Sequence, residues 1–284
     1  MTTPKRLFLI DGMALIYRAH FALIKNPLLT SDGRHTSAIH GFMNSLFKLL
    51  REENPDYISI VLDCKEPTFR HVIYTDYKAT REKMPIELVE QLEPLYSVIE
   101  ATKIPMIKLP GYEADDIMGT LAKKAQKEGL QTFIVTGDKD MMQLVSPEVQ
   151  MLDTMKNKWF GIKEVEEKFG VPPEKVIEVM GLMGDSSDHI PGVKGVGPKT
   201  ATELIQRYGS IDELYKSIDE IEKKKLKQKL VQDKELALLS RKLVTIDTSM
   251  KLDCSLDDLK VRPSKNEDLK KLFSEFEFSS MLTG

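Results

Sequence analysis

The chain has 284 residues, 41% hydrophobic and 30% charged, the balance of a globular protein able to bury a sizeable core in one large domain or two closely packed ones. No apolar run is long enough for a membrane span, the opening MTTPKRLFLIDG has too short an apolar stretch for a signal peptide, and Cys64 and Cys254 have neither zinc spacing nor a disulfide framework around them, so a reducing cytoplasm is the expected setting. A formal charge of −3, from 41 Lys+Arg against 44 Asp+Glu, taken alone argues against a nucleic-acid binder.

In chain order, RLFLI at 6–10, YISIVL at 57–62, residues 104–107 and residues 132–135 read as short buried strands. Between them, apolar residues recur at three- and four-residue steps near 36–52, 86–100 and 113–128, which predicts helices. This alternation implies an α/β fold with a mainly parallel sheet and helices on both faces. From about residue 162 the strand signals fade into short helices punctuated by Gly and Pro. The expected domains are therefore an α/β core over 1–172, with an insertion at about 64–85, and a helical part over 173–284.

Three of the strands end in carboxylates: Asp11 after RLFLI, Asp63 after YISIVL, and Asp138 with Asp140 after TFIVTG. One such Asp is an ordinary helix cap or turn residue. Three in one parallel sheet gather along its carboxyl edge, where open α/β folds bind ligands. A second cluster, Glu113, Asp115 and Asp116, opens a helix; the macrodipole favours one or two acids there, but three within four residues repel unless a cation sits among them. A third, Asp185 and Asp188, lies in a Gly/Ser-rich loop. Brought together, these nine carboxylates form an oxygen-rich site suited to a pair of Mg²⁺ or Mn²⁺ ions rather than zinc. Setting them aside leaves 41 basic against 35 acidic side chains, a net +6 for the remainder.

Immediately after Asp188 come Gly192, Lys194, Gly195, Gly197, Lys199 and Thr200, in a segment with the form of a helix–hairpin–helix at about 186–209. Its glycines permit a tight turn and let backbone N–H groups approach a phosphate, with lysines supplying charge. Such a motif grips backbone without reading bases. The insertion holds Phe69, Arg70, Tyr74, Tyr77, Lys78, Arg81 and Lys83; basic groups interleaved with aromatics suit a single strand, although a solvated charged loop has the same composition. Tyr17, Arg18 and Phe21 stand on the helix after Asp11, facing either substrate or core, and the lysine run at 223–229 reads as a solvated helix face, with duplex contact the other reading.

Taken together, Leu9-Ile-Asp11-Gly with Tyr17-Arg18-Ala, Val61-Leu-Asp63, Phe69-Arg70, Tyr77-Lys78-Ala-Thr-Arg81, Gly111-Tyr-Glu113-Ala-Asp115-Asp116, Thr136-Gly-Asp138-Lys-Asp140 and Gly184-Asp185-Ser-Ser-Asp188-His-Ile-Pro-Gly-Val resemble the flap endonuclease family over about residues 6–210. The similarity is to its bacterial 5′→3′ exonuclease branch, stand-alone or joined to DNA polymerase I. The resemblance implies a PIN-like nuclease core and a metal-dependent enzyme of replication and repair. It would remove 5′ flaps and RNA primers, leaving 5′-phosphate products and ligatable nicks. It implies a first metal on Asp11, Asp63, Glu113 and Asp115, and a second on Asp138, Asp140, Asp185 and Asp188, with Asp116 supporting through water. Lys78 and Arg81 match a basic pair at the foot of an arch, acting in catalysis with Asp115. Tyr17, Arg18, Arg70, Tyr77 and the hairpin residues become expected DNA contacts, with K⁺ as a further ion at the hairpin. A monomer working on DNA beside a polymerase is the expected arrangement. Two other readings stay open: a PIN-type ribonuclease, and a catalytically idle scaffold that grips duplex DNA.

Overall fold

A computed structural model describes residues 4–263 and 266–282. The first part runs β1 (Arg6–Asp11), α1 (Gly12–Ala22), α2 (Ser37–Glu53), β2 (Tyr57–Val61), α3 (Phe69–Ile73), α4 (Ile86–Thr102), β3 (Met106–Ile107), α5 (Ala114–Lys127), β4 (Gln131–Val135), β5 (Val149–Asp153) and β6 (Lys158–Phe160). Helices follow: α6 (Ile162–Phe169), α7 (Val176–Met183), α8 (Pro198–Tyr208), α9 (Ile211–Lys216), α10 (Lys224–Gln232), α11 (Lys234–Val244), α12 (Asn266–Glu275) and α13 (Ser279–Leu282). Among the described residues no helix is long and apolar enough to cross a membrane.

The strands form one sheet in the order β3-β2-β1-β4-β5-β6, parallel except where β6 returns against β5. Strand side chains alternate between faces, and both faces are buried. Leu7 and Leu9 of β1 join a core with Ile117, Met118 and Leu121 of α5. Phe8 and Ile10 join the opposite core with Ile16 of α1, Phe42 and Leu46 of α2, and Leu88 of α4. This double burial explains why β1 and β2 read as unbroken apolar runs. The chain's direction of travel across the sheet reverses between β1 and β4, so a crevice opens beside their carboxyl ends.

Three expectations change. Strands β5 and β6, a short pair at the sheet's edge, carried no periodic signal in the sequence. The third strand shrinks to Met106–Ile107. The helical part expected over 173–284 does not stay in one body: α12 packs on α4, and Leu269, Phe273, Phe276 and Phe278 fill the core that α1, α2 and α4 cover. Phe273 meets Phe47 edge-on with ring centroids 6.0 Å apart, so the tail closes over the first layer of helices.

Candidate metal centre

Asp11 ends β1 and caps α1, accepting the Ala14 N–H at 3.0 Å and the Thr136 hydroxyl at 2.8 Å. Asp63, two residues past β2, accepts the N–H of Ala114, the first residue of α5, at 2.9 Å. That bond brings the start of α5 to the edge of the sheet, with Glu113 as N-cap and Asp115 in the first turn. Beyond β4, Asp138 accepts the Asp140 N–H at 2.9 Å and opens a 3₁₀ turn (Lys139–Leu144). The third cluster sits in a loop closed by two bonds between Asp185 and Ile190, of 2.9 and 2.7 Å.

These carboxylates share one electrostatic field. Burial, with added repulsion from Asp63 and Asp138, pushes Asp11 up to about 6, against the donors Ala14 and Thr136. Burial and the charges of Asp138, Asp11 and Glu113 raise Asp115 well above the usual carboxylate range. Asp140 is pushed up to about 8 by burial first, then by Asp138, Asp185 and Asp188. Its Oδ1 is buried without a hydrogen-bond partner. For Asp185, burial works upward, but the hydrogen bond and charge of Lys139 and the Ser187 N–H draw it below its ordinary value. Such crowding of ionisable oxygens is unfavourable without counter-charge.

Basic side chains supply that counter-charge. The Lys78 ammonium lies 2.6 Å from Glu113 and 3.7 Å from Asp188, Arg81 lies 2.6 Å from Asp188, and Lys139 lies 2.5 Å from Asp185. The Tyr77 hydroxyl donates to Glu113 at 3.0 Å and reaches Asp188 at 3.3 Å. Lys78 holds a left-handed backbone conformation, φ 57°, that its N–H secures by bonding the Asp188 carbonyl at 2.9 Å. With these groups between the acids, no three His, Cys, Asp or Glu among the described residues stand as a ready-made metal site. The donor set nevertheless fits a hard divalent cation: it is all oxygen, partly buried, and includes an unpartnered Asp140 oxygen.

Several expected residues take other roles. Arg70, expected on DNA, is 2% exposed; it bonds Asp116 bidentately at 2.7 and 2.8 Å and donates to the carbonyls of Leu243 and Thr245. Asp116 is fully buried behind Glu113, its oxygens used by Arg70, the Glu113 N–H and the Asp247 N–H. It positions Glu113 rather than facing solvent. Tyr77 is 4% exposed, so its ring packs in the core instead of stacking on a base. Arg18 donates to Thr154 and, at 3.2 Å, to Ser45, bracing the turn between β5 and β6. Tyr17 is part-exposed and stacked on Phe21; burial raises its phenol above the ordinary value against the charge of Arg81. Thr136 and Lys139 belong to the TGDKD motif but carried no expected role, which the structure supplies as partners of Asp11 and Asp185.

The loop joining α7 to α8 forms the expected hairpin. Gly192 has φ 58°, and a Cβ there would stand 2.8 Å from the Leu182 carbonyl oxygen, so the crossing requires glycine. Lys194, Gly195, Gly197 and Lys199 are exposed, and Thr200 is half-buried. The Lys194 N–H is held by Asp233 at 2.9 Å.

Residues 6–170 match the family model of the 5′-3′ exonuclease N-terminal resolvase-like domain, and residues 171–267 that of the 5′-3′ exonuclease C-terminal SAM fold. DNA polymerase I of Bacillus caldotenax is 43% identical over 287 residues, covering 98% of this chain and 32% of its own length. The 5′-3′ exonuclease of Aquifex aeolicus is 38% identical over 278 residues, covering 98% of this chain and 94% of its own. The chain thus spans about a third of the polymerase relatives and nearly all of the exonuclease. Among solved structures, T5 5′-exonuclease with bound zinc superposes with TM-score 0.74 at 20% identity, over 96% of this chain and 99% of that one. The catalytic core of Rad2 in complex with DNA substrate superposes with TM-score 0.64 at 18% identity, over 98% and 90%. Both likenesses are of fold.

Proposed function

The chain belongs to the 5′-3′ exonuclease family, and we propose that it is a divalent-metal-dependent 5′→3′ exonuclease and 5′-flap endonuclease acting on DNA and RNA-primer strands. The observation that carries this reading is geometric: Asp63 accepts the Ala114 N–H at the start of α5, Thr136 after β4 donates to Asp11, and the Lys78 ammonium bridges Glu113 and Asp188. Acids from separate segments are thereby gathered at the crevice beside β1 and β4.

Asp11, Asp63, Glu113 and Asp115 would hold one ion, and Asp138, Asp140, Asp185 and Asp188 a second, with Mg²⁺ first and Mn²⁺ next in suitability. Bound there, such ions supply Lewis-acid stabilisation of phosphoryl charge and a hydrolytic water of lowered pKa. The chain's own groups do the rest. Asp116, fixed by Arg70, bonds the Glu113 N–H and sets that carboxylate's direction. Lys78 and Arg81, resting on Glu113 and Asp188, stand ready to meet the charge that develops on phosphorus during in-line attack. Burial disfavours the Lys78 charge, but Glu113 and Asp188 more than restore it, so the ammonium stays protonated at neutral pH. The hairpin with Lys194 and Lys199 grips duplex backbone beside this centre, with K⁺ as an additional ion there.

The relatives that are DNA polymerase I support a role in replication and repair beside a polymerase, and cytoplasmic action as a monomer completes the proposal. Digestion of a 5′-labelled flap duplex with and without Mg²⁺, sizing the fragments and repeating with single-stranded RNA, tests it. Mg²⁺-dependent release of the flap supports the nuclease; cleavage of RNA alone, or tight binding without cleavage, contradicts it.

A further inference from the structure

The lysine run at 223–229 enters the structure as α10, whose inner face is anchored by Leu226 and the fully buried Leu230. Tyr215 bonds the Leu230 carbonyl at 2.9 Å. The end of this helix is tied to the hairpin: Asp233, which accepts the Lys194 N–H through its side chain, gives its own N–H to the Lys229 carbonyl at 2.9 Å. This link sets Lys229 over Gly195. Gly195 has φ 77°, and a side chain there would collide with the Lys229 ammonium. The absent Cβ is therefore what lets a charge from another helix rest on the hairpin.

The lysines of α10 are not equivalent. Lys227 is paired with Asp219 at 2.7 Å, and Lys224 lies with Gln228 and Val231 on a different face. Lys229 is exposed and, like Lys194 and Lys199, enters no ion pair among the described residues. Lys225, one turn earlier, is exposed on the Lys229 side. The Lys229 ammonium thus lies against Gly195, in a hairpin that also carries the exposed Lys194 and Lys199 and exposes the backbone of Gly195 and Gly197.

We propose that Lys229 is a phosphate-contacting residue of the duplex grip, so that α10 forms a third element of the DNA-binding surface alongside α7 and α8, with Lys225 extending it. The inference rests on the nuclease reading and deepens it. The partner is the anionic backbone of duplex DNA, because the site offers ammonium charges beside exposed glycine backbone, the groups that meet phosphates.

The test measures binding of the full chain to a fluorescent 5′-flap duplex in EDTA, across a salt series. For Lys229→Ala, the dissociation constant at about 0.1 M salt should rise about five- to tenfold, and the slope of log K against log salt should shrink by about 0.9. Lys229→Arg should restore both, and Lys224→Ala should change neither. Unchanged affinity and slope in Lys229→Ala, with a wild-type chain that binds normally, overturns this inference alone. A wild-type chain that fails to bind flap DNA overturns it together with the nuclease reading.

Discussion

The Lys78 ammonium lies 2.6 Å from Glu113 Oε1, at a residue whose own N–H is bonded to the Asp188 carbonyl. One side chain of the insertion therefore joins the acid at the start of α5 to the loop after α7. A cation seated on these acids would, on the proposed reading, compete with a metal there before meeting charge on the substrate.

Lys78→Ala should accordingly slow flap cleavage by about 10²–10³-fold, the loss typical of one donor to developing charge. Its apparent affinity for Mg²⁺ should rise, because a competing charge is gone. Single-turnover rates across a Mg²⁺ titration read both effects; a slowed enzyme with weakened Mg²⁺ affinity would place Lys78 in a ligand-orienting role instead.

Asp115→Asn should bind flap DNA with near wild-type affinity yet cut it roughly 10²-fold or more slowly. Asp115 is held up by burial and by Asp138 and Asp11, so its loss relieves repulsion and should not unfold the chain. Gel-shift and cleavage assays on one substrate check this, and unchanged cutting would remove Asp115 from the mechanism.

Arg70→Ala should behave as a stability variant. Its partner Asp116 has no exposed side-chain surface, so removing the guanidinium strands a buried charge, at a cost of about 3–5 kcal/mol. Denaturant unfolding should show that loss, while the salt slope of DNA binding in the folded fraction stays at the wild-type value. A changed slope with normal stability would return Arg70 to the DNA interface.

Asp11 near 6 and Asp140 near 8 lie above the ordinary 3.8 of an unfolded Asp. Between about pH 4 and 8 the metal-free folded state keeps protons that the unfolded state has released, so these groups lower stability as pH rises through that window. Divalent ions bind the ionised carboxylates and must expel those protons. Added Mg²⁺ should thus raise the melting temperature more at pH 8 than at pH 5.5. At pH 7 its binding should release at least about one proton, measured by calorimetry in buffers of different ionisation heat. Release of none would mean that these acids are already ionised.

How much of this was legible in sequence follows from what each feature depends on. Asp11, Asp63 and Asp138 could be read because an apolar strand followed by a carboxylate is a local pattern, and parallel pairing does the rest. Arg70 misled because its composition matches a basic loop, whereas its burial depends on Asp116, 46 residues away. Tyr77 misled for the same reason, through Glu113. Strand β6 has three residues and borrows its order from β5, leaving no period to detect. The aromatic residues of the tail, Phe273, Phe276 and Phe278, gave no hint that they close over the first helices, since that packing is entirely long-range.

The most direct measurement is anomalous diffraction from crystals soaked in Mn²⁺. Two peaks are predicted, one among Asp11, Asp63, Glu113 and Asp115 and the other among Asp138, Asp140, Asp185 and Asp188, with Lys78 drawn away from Glu113. A crystal with no peak at the carboxyl ends of β1 and β4, and Lys78 still seated on Glu113, would contradict the account.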